Sequence, residues 1–408
     1  MYWRQCLFQC CHSITYFVGD NYEKALQLLP EVSRLGQVRG IADPAIAGLY
    51  LQGQFLALRG RLQEAIALCQ QGLDLATQRR WLATYAGVLV QVALADLLRE
   101  QNDLEVAAQH LNESIDRAIQ NQQPGLMMGY ITLARVHQAQ SNWQAAWDAI
   151  HAAKQCQIWL WSTILSVEAC QVRLHLAQGN LEAAMAWVQS RNLGVEDELC
   201  YSSTQQHPFG SELDYLTFAR VLIAYGRTRA SKSHLQDAMR LLSRLAEFTK
   251  AGGRTIRTME TLILQALAWQ VWGDGERALA CFKQALEIPR QGDYIRLFVD
   301  EGQPMAQLLR QAASKNIYLN DVNRLLATFG SVEANSCVPV QPLIEPLSDR
   351  ELEVLQNLAT GMSNQAIAEQ LFVSLAAIKW HARNIYGKLD VSNRTQAVAR
   401  ARELGILG

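Results

Sequence analysis

The chain has 408 residues, half of them hydrophobic, with 37 Lys and Arg against 38 Asp and Glu for a net charge of −1. That length suits two or more domains with a large core, and the charge balance excludes a molecule that coats nucleic acid with its whole surface, so any such binding is local. Nine cysteines, an odd count without regular spacing, fit reduced thiols in a cytoplasmic protein. No run of about 18 apolar residues is present to span a membrane. The opening stretch MYWRQCLFQCCHS, interrupted by Gln9 and His12, does not read as a signal peptide. Cys6, Cys10, Cys11 and His12 lie close together, but no second ligand pair follows at zinc-finger spacing, so neither a metal nor a cofactor is expected.

Residues 1 to about 290 read as helix after helix, separated by short Gly, Asn and Asp breaks that recur in one frame. Asp20-x-Tyr22-x-x-Ala25 is matched by Gly60-x-Leu62-x-x-Ala65, Asn102-x-Leu104-x-x-Ala107, Ser141-x-Trp143-x-x-Ala146, Gly179-x-Leu181-x-x-Ala184 and Gly273-x-Gly275-x-x-Ala278. Leu235-x-x-Ala238 fits the frame without a turn residue at 233, and successive spacings are 40, 42, 39, 38, 54 and 40 residues. A turn residue separates two helices, an apolar residue starts the second, and an Ala sits where the helices cross closely. Pairs built this way stack into a superhelix. The period exceeds the ~34 residues of ordinary tetratricopeptide repeats. The long spacing holds 194–210, GVEDELCYSSTQQHPFG, whose acids, polar residues and Pro208 mark an exposed loop.

Residues 331–346 contain Pro339, Pro342 and Pro346, a semi-rigid linker. Residues 347–408 then read as four short helices. Ser348 and Glu351 form a capping box ahead of Leu352, Val354, Leu355 and Leu358. Ser363 caps a helix with Ile367, Ala368 and Leu371 inside. Ser374 caps a third, with Ile378, Ala382, Ile385 and Leu389 on one stripe. Ser392 opens a fourth with Ala397, Val398, Ala401 and Leu404. The second and third helices have helix-turn-helix dimensions, and the outward face of the third carries Lys379, Trp380 and Arg383 near its N-terminal end, where such helices meet base edges. Six Lys and Arg against one acid lie between Ser374 and Arg402, whereas Glu345 to Val373 holds five acids and one base. A basic side suits phosphate.

The motifs Ser348-x-Arg350-Glu351-x-Glu353-Val354-Leu355, Gly361-x-Ser363-Asn364-x-x-Ile367-Ala368, Ile378-Lys379-x-His381, Lys388-Leu389 and Arg394-x-x-Ala397 resemble the LuxR-type DNA-binding domain over about sixty residues without a gap. The resemblance implies that Lys379, Trp380 and Arg383 face the major groove, that Ser374, His381 and Lys388 lie at or near the DNA backbone, and that the fourth helix, through Ala397, Arg400 and Ala401, supports dimerisation. Ala377 departs from the family, which commonly has Thr there; that removes a hydroxyl, and Trp380 is bulky for a groove-facing position. The repeat region, with 212–222 and the Asp300-Glu301-Gly302 run, resembles that of the large ATP-dependent MalT-like regulators. Their P-loop, G-x-x-x-x-G-K-[ST], has no counterpart: Gly252-Gly253-Arg254-Thr255 and Gly60-Arg61 lack the Lys and the spacing. Either the ATPase is lost or the chain is the C-terminal part of a larger product. Asp300 and Glu301 as a catalytic pair lack any accompanying His or metal spacing, and no other catalytic motif is present.

The expected fold is therefore all-α, a tetratricopeptide-like superhelix (1–330), a Pro-rich linker (331–346) and a four-helix LuxR-type helix-turn-helix domain (347–408). The expected function is that of a cytoplasmic, non-enzymatic transcriptional regulator. It would bind double-stranded promoter DNA as a homodimer or multimer and take a small-molecule or protein effector on the superhelix. The alternative is a protein-interaction scaffold with a vestigial DNA-binding domain.

Overall fold

A computed structural model describes residues 22–122, 126–156, 166–197, 199, 210–335, 349–360, 362–371, 375, 378, 381, 382, 385, 386, 388, 391 and 394–403. The chain divides into two compact units, Met1–Gly330 and Ser331–Gly408. Among the described residues the only non-helical pairing is an isolated parallel bridge between Arg61 and Gln291.

The first unit contains α1 (Tyr22–Arg39), α2 (Ala42–Leu58), α3 (Leu62–Gln78), α4 (Tyr85–Glu100), α5 (Leu104–Gln120), α6 (Leu126–Ala139), α7 (Trp143–Gln155), α8 (Val167–Ala177) and α9 (Leu181–Ser190). After these come α10 (Gly210–Thr228), α11 (Lys232–Ala251), α12 (Thr255–Trp272), α13 (Gly275–Glu287), the single turn α14 (Ile295–Val299), α15 (Gln303–Ser314) and α16 (Leu319–Asn335). The expected helix pairs are α2–α3, α4–α5, α6–α7, α8–α9, α10–α11 and α12–α13. The first member of each pair is apolar around most of its circumference, as in LYLQGQFLAL or VLVQVALADLL, and is enclosed by its neighbours; partners such as α5, α11 and α13 carry one apolar stripe and cover the outside.

The turn within each pair follows one rule. A residue with left-handed backbone ends the first helix at Gly60, Asn102, Ser141, Gly179 and Gly273. The next N–H bonds the carbonyl five residues back, as in Asp103 to Leu98 (3.0 Å) and Asn142 to His137 (2.8 Å), which satisfies carbonyls that a helix end leaves orphaned. Asn142, Asn180 and Asp274 then cap the second helix through their side-chain oxygens. The Ala five residues after the turn is fully buried in each case: Ala65, Ala107, Ala146, Ala184 and Ala278.

The fifth pair, α10–α11, corrects the expected frame. Its left-handed residue is Ala230, not position 233, and Ser231 N–H bonds Gly226 O at 3.1 Å. Leu235 thus takes the place an Ala holds elsewhere. The crossing stays close because the small residue has moved to the opposing helix: a Cβ on Gly226 would lie 2.5 Å from Leu235 Cγ. The anchor at Asp20 lies outside the described residues.

The first unit also closes on itself. Its largest core cluster joins residues of α2 and α4 to residues of α12, α13 and α15. Leu62 N–H bonds Gln291 O at 2.9 Å, Gln291 N–H bonds Gly60 O at 2.6 Å, and Tyr294 Oη donates to Ala57 O at 2.7 Å.

The second unit contains α17 (Asp349–Ala359), α18 (Asn364–Gln370), further helical residues between 375 and 388, and α19 (Arg394–Glu403). The linker expectation needs adjusting: α16 runs through Asn335, so 331–335 are helical, and 336–348 lie outside the described residues.

Candidate functional site

The second unit is built as its sequence pattern requires. Val354, Leu355 and Leu358 of α17, Ile367 and Ala368 of α18, Ile378, Ala382 and Ile385 of the third helix, and Ala397 and Ala401 of α19 form one buried core. Ser363 caps α18, its Oγ accepting from Ala366 N–H at 3.2 Å. Arg394 ties the ends together, donating to Met362 O at 2.7 Å and to Leu358 O. It thereby serves carbonyls that the end of α17 leaves open.

The residues expected to meet DNA fall into two groups. Lys379, Trp380, Arg383 and Ser374, with Ala377, lie outside the described residues. His381 is half-buried on the third helix. Lys388 donates to Glu351 Oε2 at 2.9 Å, with only 16% of its side chain exposed and 5% of that of Glu351. Lys388 therefore joins the third helix to α17. A phosphate would have to compete with that carboxylate, which is more than sequence pattern alone implied. Ala397 and Ala401 are fully buried in the unit's own core. Their face of α19 is packed inward, so they offer no surface to a second subunit; of the three dimerisation candidates, the Arg400 side chain lies outside the described residues.

The first unit contains a second candidate site. A cavity of about 160 Å³ is lined by the inner helices α2, α4, α6, α8, α10 and α12 and by the α14 segment. Tyr50, Leu89, Val92, Met128, Ile256 and Leu297 supply apolar walls. Around them runs a charged network. Arg135 pairs with Asp96 at 2.5 Å and Glu100 at 3.0 Å. Arg99 joins Glu100 at 2.6 Å and also Asp300, which Arg296 holds from the other side at 2.5 Å. Arg220 donates to Glu260 at 2.8 Å and Glu301 at 2.5 Å, and Arg257 reaches Glu260 at 2.7 Å. Asp300 and Glu301 are thus consumed by arginines, as suits a structural role. Burial alone would raise the Asp300 and Glu260 carboxyls, but the flanking guanidiniums, Arg296 foremost for Asp300 and Arg220 for Glu260, outweigh it and hold both well below the usual carboxylate range.

Sequence reasoning missed this network, although a signal for it exists. Arg99, Arg135, Arg173, Arg220, Arg257 and Arg296 recur every 36 to 47 residues. Most sit in helices that are otherwise apolar all round, and a charge on such a helix faces the interior and needs a partner there. Among the described residues no group of three or more His, Cys, Asp or Glu is placed to hold a metal, and Cys6, Cys10, Cys11 and His12 lie outside them. Among the same residues no helix is long and apolar enough to cross a membrane.

With both sites in place, the chain can be compared with known proteins. Residues 1–315 match the family described as the MalT-like TPR region, and residues 345–401 match the bacterial regulatory proteins of the luxR family. The HTH-type transcriptional regulator MalT of Vibrio campbellii is 24% identical over 95% of this chain, which covers 44% of that protein. The regulator of the same name from Klebsiella pneumoniae strain 342 is 27% identical over 87% of the chain and 36% of its own length, and that from Yersinia pestis 25% identical over 93% and 43%. The chain thus spans less than half the length of these curated relatives. The left-handed turns, the closely crossed helix pairs and the four-helix core at the C-terminal end are the physical content of those matches, and the chain belongs to the MalT-like TPR family, carrying a luxR-family domain after its repeats.

Proposed function

We propose that this chain is a DNA-binding transcriptional regulator rather than an enzyme. The observation that carries this reading is the four-helix second unit. It combines a luxR-family match over 345–401 with a core in which Ile378, Ala382 and Ile385 fix one face of the third helix inward. Lys379, Trp380 and Arg383 lie outside the described residues, and it is the family resemblance that implies their contact with the major groove. Named transcriptional regulators align along nearly the whole chain. The first unit takes an effector in the cavity of its inner helices, and a homodimer or multimer on two half-sites supplies the affinity that one short recognition helix lacks. The cytoplasm is the compartment such a role requires.

The test is a titration of fluorescent duplex DNA with the full chain between 50 and 200 mM salt. Phosphate neutralisation predicts affinity falling steeply and linearly on a log–log plot. Arg383→Ala should cost about 1–3 kcal/mol if it reads a base edge. Absence of binding at 50 mM salt would sink the regulator reading and favour the scaffold with a vestigial domain. Ala377 and Trp380, both departures from family expectation, are the features that would then explain it.

A further inference from the structure

We infer that the cavity of the first unit binds a small molecule bearing an oxyanion, a carboxylate or a phosphate, and that Arg173 is the residue that holds it. This deepens the effector reading above and rests on it. Arg173 lies on α8 and lines the cavity. Every other arginine of the surrounding network has a carboxylate partner within hydrogen-bond reach: Arg99, Arg135, Arg220, Arg257 and Arg296. Arg173 makes neither a hydrogen bond nor an ion pair with any described residue. The acids whose field it feels, Glu301, Glu260 and Asp300, already accept from Arg220, Arg257, Arg99 and Arg296.

A second donor points to the same place. Thr132 on α6 lines the cavity with 1% of its surface exposed, and its Oγ1 has no hydrogen-bond partner. A helical Thr ordinarily settles its hydroxyl on a carbonyl one turn back. Leaving two polar groups unmet at one cavity wall costs stability, and a ligand supplying acceptor atoms removes that cost. The ligand's charge follows from what surrounds Arg173. Its pKa lies below the ordinary guanidinium value, first because of burial and next because Arg220 repels it. Negative charge placed there relieves both guanidiniums, and charged donors make their strongest hydrogen bonds to charged acceptors. The volume of about 160 Å³ holds on the order of ten waters. It admits a small carboxylate or phosphate ester and excludes a phosphopeptide or a nucleic acid.

The opposing account is that Arg173 balances, at a distance, a network richer in carboxylates than in the other arginines. The two accounts predict opposite outcomes for Arg173→Leu. Thermal unfolding of the full chain would be followed with inorganic phosphate, with succinate and with glucose, chloride being used to match ionic strength. Phosphate or succinate should raise Tm by at least ~2 °C when in large excess over Kd, and whichever anion does so assigns the oxyanion. In R173L that rise should vanish while the ligand-free Tm stays level or increases. Arg173→Gln, which keeps a polar chain, should likewise lose the rise. Thr132→Val should leave the ligand-free Tm level or raise it, and should diminish the ligand-induced rise. A rise that survives R173L and R173Q, no rise with either anion, or a fall in ligand-free Tm in both Arg173 variants would overturn the proposal. A rise with glucose alone, indifferent to R173L, would overturn the anion and leave the effector reading intact. The DNA titration decides the regulator reading separately.

Discussion

The two units are held together by different physics. The second is a small apolar core of alternating turns and helices, fastened among the described residues by the ion pair of Lys388 with Glu351 and by Arg394 on the end of α17. The first has far more apolar surface to bury, yet the contacts that bring its early helices to its late ones include a nearly dry set of shared carboxylates. Asp300 accepts from Arg99 and Arg296, and Glu260 from Arg220 and Arg257. Apolar burial is non-directional and indifferent to pH; a buried carboxylate between two guanidiniums is directional and tolerates neither protonation nor loss of a partner. The unit with the larger core is therefore the more fragile one toward acid and toward single charge deletions.

Acid is the broadest way to break this contrast. Asp300 and Glu260 have folded pKa values below their unfolded ones, so their contribution is fully present above the ordinary carboxylate range and is lost as pH falls through it toward the lower folded values. Far-UV circular dichroism during acid titration should show the first unit melting from about pH 4 downward, ahead of the second. Coincident melting would remove the contrast.

Asp300→Ala leaves two buried guanidiniums facing each other. It should destabilise the first unit by about 3–5 kcal/mol, seen as a leftward shift of one urea transition with the other unmoved. A loss below 1 kcal/mol would mean that Arg99 and Arg296 re-pair locally. Ile378→Ala is the mirror experiment: about 2–4 kcal/mol from the second unit alone, measured the same way. Smallest is Ser363→Ala, which removes the α18 cap and should cost about 1 kcal/mol. An unaltered midpoint would show that water replaces the cap.

Much of the second unit was legible because its signals are local. Caps lie three residues from what they cap, and the stripe Ile378, Ala382, Ile385 follows helical period. For Lys388 the family resemblance implies a place near the DNA backbone, while its carboxylate partner Glu351, 37 residues away, is a contact that no local pattern announces. The repeats were legible for the same local reason, through turns and alanines. Among the described turns the frame slipped at Ala230, where Gly226 and Leu235 exchanged the small and large positions across the crossing. The charged network was not read. Arg99 and Asp300 are 201 residues apart, and nothing within one repeat announces that two distant repeats touch.

That touch, at Gly60 and Gln291 and at Tyr294 and Ala57, carries a consequence for how this architecture changes over time. An open array of repeats gains or loses a unit at small cost, because each unit answers only to its neighbours. Here the last repeats dock on the first, so duplicating or deleting one helix pair would misplace every residue of the seam at once. Closure therefore ties the number of repeats to the seam: a change in that number would cost the contacts at Gly60 and Tyr294 as well as those between neighbouring helix pairs.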